Sequence, residues 1–227
     1  VTQTVAGVKF STLPGFAIER MNPPDKGDSY VVITFDSFGR LVVSKELDFP
    51  RILLDNDKDG IYESEKIISD KIRNCQGLWF EGRTLYAACA MVPTPEQIAA
   101  APPPPPGGGR GGPNINNRAG IFRLEDTNGD DVADTFEILG MAGSIQEHGP
   151  HAIRRRPDGG FSVIVGNNET IGDLALDLTS PVLKDKDGQF LPYFANFGQS
   201  AREGAHSAIF DWNPASRKFR IFSGGNR

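Results

Sequence analysis

Apolar and polar residues alternate with a period of two along most of the chain, in short runs punctuated by glycine, proline, asparagine and aspartate. VVITF (31–35) and RLVVSK (40–45) flank Asp36-Ser37-Phe38-Gly39, and LWF (78–80) and TLYAACA (84–90) flank Glu81-Gly82-Arg83. HAIRRR (151–156) and FSVIVG (161–166) flank Pro157-Asp158-Gly159-Gly160, and SAIFDW (207–212) and KFRIFSG (218–224) flank Asn213-Pro214-Ala215-Ser216-Arg217. Period-two runs on either side of such residues predict β-hairpins, because alternate side chains of a strand share a face and these residues accept the backbone angles of a tight turn. Helical periodicity is absent; only Glu96 to Ala101 has helix-forming composition, with prolines on both sides. The pattern predicts an all-β chain.

The hairpins recur. With turns taken at Gly39, Gly82, Gly159 and Ala215, and with one insertion set aside, the spacing is about 40 to 55 residues, which suits four-stranded propeller blades. A β-sandwich is the competing all-β answer, but it requires no repeated unit. About three to four blades do not close a ring, and an open ring leaves long sheet edges unpaired. Residues 1–227 are therefore expected to be one partial β-propeller, a piece of something larger.

Composition changes this picture in one place. Of 26 glycines and 17 prolines, five and eight respectively fall in Val92 to Arg118, including the run Pro102 to Pro106. Residues 92–118 read as a polyproline and glycine insertion with little to bury against the entropy of ordering it, and more simply as a surface insertion than as a ligand for a proline-binding module. The formal charge of −5, with no basic cluster beyond Arg154, Arg155 and Arg156, argues against nucleic acid as a partner. No run approaches the roughly 18 to 20 apolar residues of a membrane span. The N-terminus lacks the basic start and apolar core of a signal peptide, so any targeting segment is expected to be missing or already removed.

The strongest chemical signal is a second repeat. LLDNDKDGIYESEKII places Asp55, Asp57, Asp59 and Glu63 at loop positions 1, 3, 5 and 9, and LEDTNGDDVADTFEIL places Asp126, Asn128, Asp130 and Asp134 at the same positions. Side-chain oxygens at alternate positions of a tight loop converge on one hard cation, the carbonyl at position 7 (Ile61, Val132) adding another, so Ca²⁺ is the expected ion at both. The alternative is an acidic turn that stabilises itself. Neither loop is an EF-hand: position 12 is Lys66 in the first, Asp131 replaces the position 6 glycine in the second, and no amphipathic helix flanks either. Asp185 and Asp187 resemble a truncated third loop and read as a turn.

Two of the three histidines, His148 and His151, stand at the entrance to the third hairpin and His206 at the entrance to the fourth. In a propeller, such entrances converge on the axis, where an imidazole of ordinary pKa about 6.5 can act as a general base; the alternative is that these histidines merely cap a Gly-Pro turn. HxxH alone is weak grounds for zinc. Cys75 and Cys89 suit either a disulfide of an oxidising compartment or two small buried thiols. Trp79, Phe80 and Tyr86 are expected to pack between blades.

The segment EHGPHAIRRRPDGGFSVIVGNNE resembles the part of glucose/sorbosone dehydrogenase propellers that runs from a catalytic His through a GPDG hairpin. The acidic loops, PGFAIERMNPPDKGDSYVVITFDSFGRLVVSKE and NCQGLWFEGRTLYAACA are similar to the exported membrane-bound dehydrogenase propellers of planctomycete-type bacteria, often fused to a cytochrome c module. The closing FSGGNR resembles the start of that family's G-x-R-N-P-x-G motif, and the resemblance implies a propeller six-bladed in the full protein, so the chain is expected to end about halfway round the ring. The resemblance implies an exported or periplasmic bacterial enzyme that oxidises a sugar or alcohol by hydride transfer to pyrroloquinoline quinone. It implies His148 as the base that takes the hydroxyl proton, and Gln76 and Arg227 as polar residues lining the quinone pocket. Pro150 and His151 depart from the sugar dehydrogenase pattern, no CxxCH haem motif is present, and the rest of the ring lies outside this sequence, so the chain alone is expected to be inactive. A noncatalytic calcium-stabilised propeller that binds polysaccharide or protein is the competing function, and a purely structural blade set is the third.

Overall fold

The computed structural model describes residues 1–22, 29–100, 118–144, 150–166, 177 and 208–224. The period-two runs form strands, and the strands form meanders in which each pairs antiparallel with the next in sequence. The first sheet holds β3 (Tyr30–Phe35), β4 (Leu41–Lys45), β5 (Arg51–Leu54) and β6 (Ser64–Ile67) in the order β3-β4-β5-β6. The second holds β7 (Ile72–Glu81), β8 (Thr84–Met91), β9 (Arg118–Glu125) and β10 (Thr135–Ser144); the third holds β11 (Pro150–Arg155), β12 (Phe161–Val165), β13 (Ala208–Asn213) and β14 (Lys218–Gly224). A separate hairpin, β1 (Thr2–Val5) with β2 (Val8–Ser11), precedes them. This is an all-β arrangement of blade-like sheets. Its one described helix, α1 (Pro95–Ala99), is closed by a capping box between Thr94 and Gln97.

The hairpin at Ala215 corrects the spacing argument. It joins the third and fourth strands of the third sheet, because β13 pairs with β12 across the long connection 166–207, and it does not open a fourth blade. The intervals therefore mixed two kinds of turn. The insertion joins β8 to β9, and its stretch 101–117 lies outside the described residues, as do Asp185 and Asp187.

The sheets stack through their inner strands. β7 packs on β3 at one side and on β11 at the other. Between the first two sheets lie Val42, Ile52, Ile72, Leu78, Leu85, Phe122 and Leu124; between the second and third lie Ile153, Phe161, Val163, Phe210, Trp212 and Phe219, with Trp79 and Tyr86 against them. At Gly77 the approach is so close that a Cβ would stand 2.9 Å from the Ala152 Cα. Only glycine fits there without a backbone shift.

A meander sends its first and third turns to one face and its second turn and outgoing connection to the other. The hydrogen bonds follow that rule: Val92 N–H donates to the Lys71 carbonyl (2.8 Å), pairing the second turn of the second sheet with the connection that enters it, and Asn74 N–H, near the start of β7, donates to the Asp48 carbonyl in the second turn of the first sheet (2.8 Å). Residues 46–50, the start of β7 and the end of β8 thus share one face. The turns at Gly39, Gly82 and Gly159 and both acidic loops share the opposite one.

Candidate functional site

Both acidic loops connect the third and fourth strands of their sheets, 55–63 between β5 and β6 and 126–134 between β9 and β10. Their alternating Asp and Asn residues bend the backbone by accepting from N–H groups two to five residues on, which is why this sequence makes a tight loop. In the first, Asp55 accepts from Asp59 N–H (3.2 Å) and Gly60 N–H (3.0 Å), Asp59 from Ile61 N–H (2.7 Å), and Glu63 from Asn56 N–H (2.9 Å). The second repeats that frame: Asp126 accepts from Asp130 N–H (3.2 Å) and Asp131 N–H (3.0 Å), Asp130 from Val132 N–H (2.8 Å), and Asp134 from Thr127 N–H (2.7 Å).

The side chains then diverge. One oxygen from each of Asp55, Asp57, Asp59 and Glu63 lies within 4.8 Å of all the others. Two oxygens bound across a Ca²⁺ at about 2.3–2.6 Å each stand about 5 Å apart at most, so the set fits a divalent cation. Among the described residues, the acidic side chains of the second loop do not form such a group. Instead Arg83, on the β7–β8 turn, donates to Asp126 (2.9 Å), and Arg40, on the β3–β4 turn, donates both terminal nitrogens to Asp131 (2.8 and 2.7 Å) and its Nε to Asp36 (2.7 Å). Both guanidinium groups lie over the Phe38 ring, at 5.5 and 5.1 Å. Lys66, at position 12 of the first loop, donates to the Asp130 carbonyl. Glu137, at position 12 of the second, pairs with Arg217 of the third sheet.

The electrostatics follow these partners. Burial works to raise the Asp126 carboxyl, but the N–H groups of Gly129 and Asp131 and the Arg83 guanidinium outweigh it and hold it below the usual carboxylate range. Hydrogen bonding to Arg40 lowers Asp131, and the Thr127 hydroxyl and N–H lower Asp134. Arg40 is raised in turn, chiefly by Asp131.

On the opposite face, Gln76 is half-buried within the bulge of β7 between Arg73 and Gly77. A Cβ on Gly77 would stand 3.0 Å from the carbonyl of His151, itself half-buried on β11. The inner-strand junction therefore brings the stretches bearing Gln76 and His151 together. His148, His206 and Arg227 lie outside the described residues. Cys75 and Cys89 form a disulfide between β7 and β8, and the Cys75 N–H donates to the Ser44 hydroxyl of the first sheet (3.0 Å). Sequence reasoning missed Arg40, Arg83 and Asp36. The available signal was Asp131 itself, an acid at φ 69° where the loop pattern calls for glycine.

No family model and no curated relative matches the chain. Among solved structures, it is similar to a Trichoderma reesei carbohydrate-active enzyme of family AA12, with 13% identity, a TM-score of 0.45, and 83% of this chain and 37% of that one covered. It is also similar to the holo form of the PQQ domain of a pyranose dehydrogenase from Coprinopsis cinerea (13% identity, TM-score 0.42, 85% and 40% covered). A bifunctional GH43-CE protein of Bacteroides eggerthii matches at 14% identity and a TM-score of 0.31, over 62% of this chain and 17% of that one. The chain spans about two-fifths or less of each of these structures. At such scores the likenesses add nothing to the blade-like architecture, which rests on strand order and inter-sheet packing.

Proposed function

We propose that this chain supplies blades of a six-bladed β-propeller belonging to an exported, quinone-dependent dehydrogenase of sugars or alcohols, with Ca²⁺ held by Asp55, Asp57, Asp59 and Glu63. The observation that carries this reading is the inner-strand junction, where the stretch containing Gln76 and Gly77 meets the start of β11, two residues beyond His148. In this reading His148 takes the proton of the substrate hydroxyl, a task suited to an imidazole. The disulfide supports export, since such bonds persist in oxidising compartments. Among the described residues, no helix is long and apolar enough to cross a membrane.

The first acidic loop fits a calcium ion by the charge and spacing of its four carboxylates, which supply four of the six or more oxygens such an ion takes. The quinone is a different matter. Of its proposed pocket only Gln76 is described, and a single half-buried amide does not make a cradle for a polyanionic cofactor, so no reaction step through it is derived. A quinone of that kind, when bound, supplies the two-electron acceptor.

The second reading is a noncatalytic, calcium-stabilised propeller that binds polysaccharide or protein. It is favoured by the position of the cation loop, on outer strands and on the face opposite the start of β11, where an ion braces a blade.

The deciding experiment reconstitutes the full-length protein with pyrroloquinoline quinone and Ca²⁺ and follows dye reduction over a panel of sugars and alcohols, with His148→Ala as control. Turnover lost in the variant supports the dehydrogenase; no quinone binding, or full activity in the variant, removes it. Melting in Ca²⁺ against chelator tests the ion separately, because a ligand bound only by the folded state raises its melting temperature.

A further inference from the structure

The two acidic loops share a sequence pattern and a backbone hydrogen-bond frame, yet their carboxylates differ in what remains free. An ionised carboxylate offers about four lone-pair sites. Asp126 meets four donors: Gly129 N–H (2.6 Å) and Asp130 N–H (3.2 Å) on Oδ1, with Asp131 N–H (3.0 Å) and Arg83 (2.9 Å) on Oδ2. Asp134 also meets four donors, but unevenly: Thr127 N–H and hydroxyl (both 2.7 Å) and Asn128 N–H (3.3 Å) share Oδ2, and the Asn128 amide reaches Oδ1 (3.2 Å). Asp55, the counterpart of Asp126, accepts from two backbone donors, and Glu63, the counterpart of Asp134, from Asn56 N–H. The first loop keeps lone pairs to spare; in the second, position 1 has none and position 9 keeps only part of its Oδ1.

The donors that fill the second loop come from elsewhere in the fold. Arg83 reaches it from the turn beside it in the same sheet. Arg40 and Lys66 reach it from the first sheet, across the inter-sheet seam. Asp131, which takes the position where a cation loop has glycine, gives Arg40 its bidentate partner. Arg40 in turn is anchored by Asp36, whose side chain is only 2% exposed. Planar guanidinium groups on carboxylates hold both distance and orientation, as a bound ion would.

We propose that the second loop is a guanidinium-closed copy of a cation loop: Arg83 and Arg40 occupy the role of the ion, and the loop fastens the first sheet to the second without metal. The part of this that concerns cation number rests on the calcium reading of the first loop, and the experiment separates the two. Chelator-stripped full-length protein is titrated with Ca²⁺ by calorimetry, and with Tb³⁺ by luminescence excited through Tyr62, which lies within the first loop while residues 126–134 contain no Tyr or Trp. The two loops are expected to contribute one calorimetric site between them. Asp57→Asn removes that site and the terbium signal, and Asp134→Asn leaves both in place. A site that survives Asp57→Asn and disappears in Asp134→Asn overturns the proposal. Absence of any site in the wild type removes the calcium reading and leaves the fastening role to a second measurement. For that, Arg40→Met and Arg83→Met each lower the melting temperature by about 2–6 °C, equally in Ca²⁺ and in chelator. A loss that Ca²⁺ restores would show that an ion can take the guanidinium seat, and would overturn it.

Discussion

The two seams of the stack are held in different ways. Between the first and second sheets the apolar contact is mainly aliphatic, and it is flanked by the Arg40–Asp131–Asp36 pairs at one face and by the disulfide-bearing bulge of β7 nearer the other. Between the second and third sheets the contact is aromatic, with Tyr86 and Trp212 against Phe161 at centroid distances of 4.2 and 6.0 Å, and polar pairs such as Arg155–Glu81 and Arg217–Glu137 stay half-exposed. Large rings fill the second seam by area. The first, with smaller side chains, adds directional ion pairs across the seam and a disulfide within the second sheet beside it, so the two seams should respond to different perturbations.

The largest effect is expected at the aromatic seam. Phe161 is 1% exposed, and Phe161→Ala should lower unfolding free energy by about 3–5 kcal/mol through lost transfer and cavity terms, read from denaturant midpoints. An effect below about 1 kcal/mol would break the comparison by showing that the rings do not carry that seam. Next comes Cys75→Ser with Cys89→Ser. The bond spans 14 residues, so its loss should lower stability by about 3 kcal/mol, with no further drop on adding reductant to the double variant.

Arg40→Met should follow, at about 1–3 kcal/mol, because it strips the guanidinium from two carboxylates, one of them buried. Its pH dependence sharpens the point. Asp131 is held below its ordinary range by Arg40, so the pair's contribution is complete above the unfolded carboxylate pKa of about 4 and is lost as pH falls through the lower folded value. The stability gap between wild type and Arg40→Met should stay flat from about pH 5 to 8 and shrink below about pH 4; a gap that widens in acid would contradict the assignment. Smallest is Arg217→Met. With 55% and 39% of the paired side chains exposed, the Arg217–Glu137 pair should contribute within about 0.5 kcal/mol and vanish in high salt.

Much of the fold was legible locally. The runs around Gly39, Gly82 and Gly159 became strands one and two of the three sheets because period-two burial and turn chemistry are both nearest-neighbour properties. The fourth hairpin was seen as a hairpin but misplaced in order, because β12 and β13 pair across a connection of about forty residues whose length says nothing of where it returns. The acidic loops were found by spacing, and their shared backbone frame follows from it. Their difference was hidden, since Arg40 and Asp131 lie 91 positions apart.

The sequence by itself determined the all-β class, the turns, the in-register acidic loops and the pair of cysteines, all of which depend on contacts within a few residues or within one hairpin. Only the tertiary structure decided that the described four-stranded sheets are three, that Gln76 and His151 lie on stretches that meet at Gly77, and that one acidic loop keeps lone pairs to spare while the other is tied by arginines. Those outcomes depend on which sheet faces are brought together, and stacking is a property of whole sheets that no local spacing encodes.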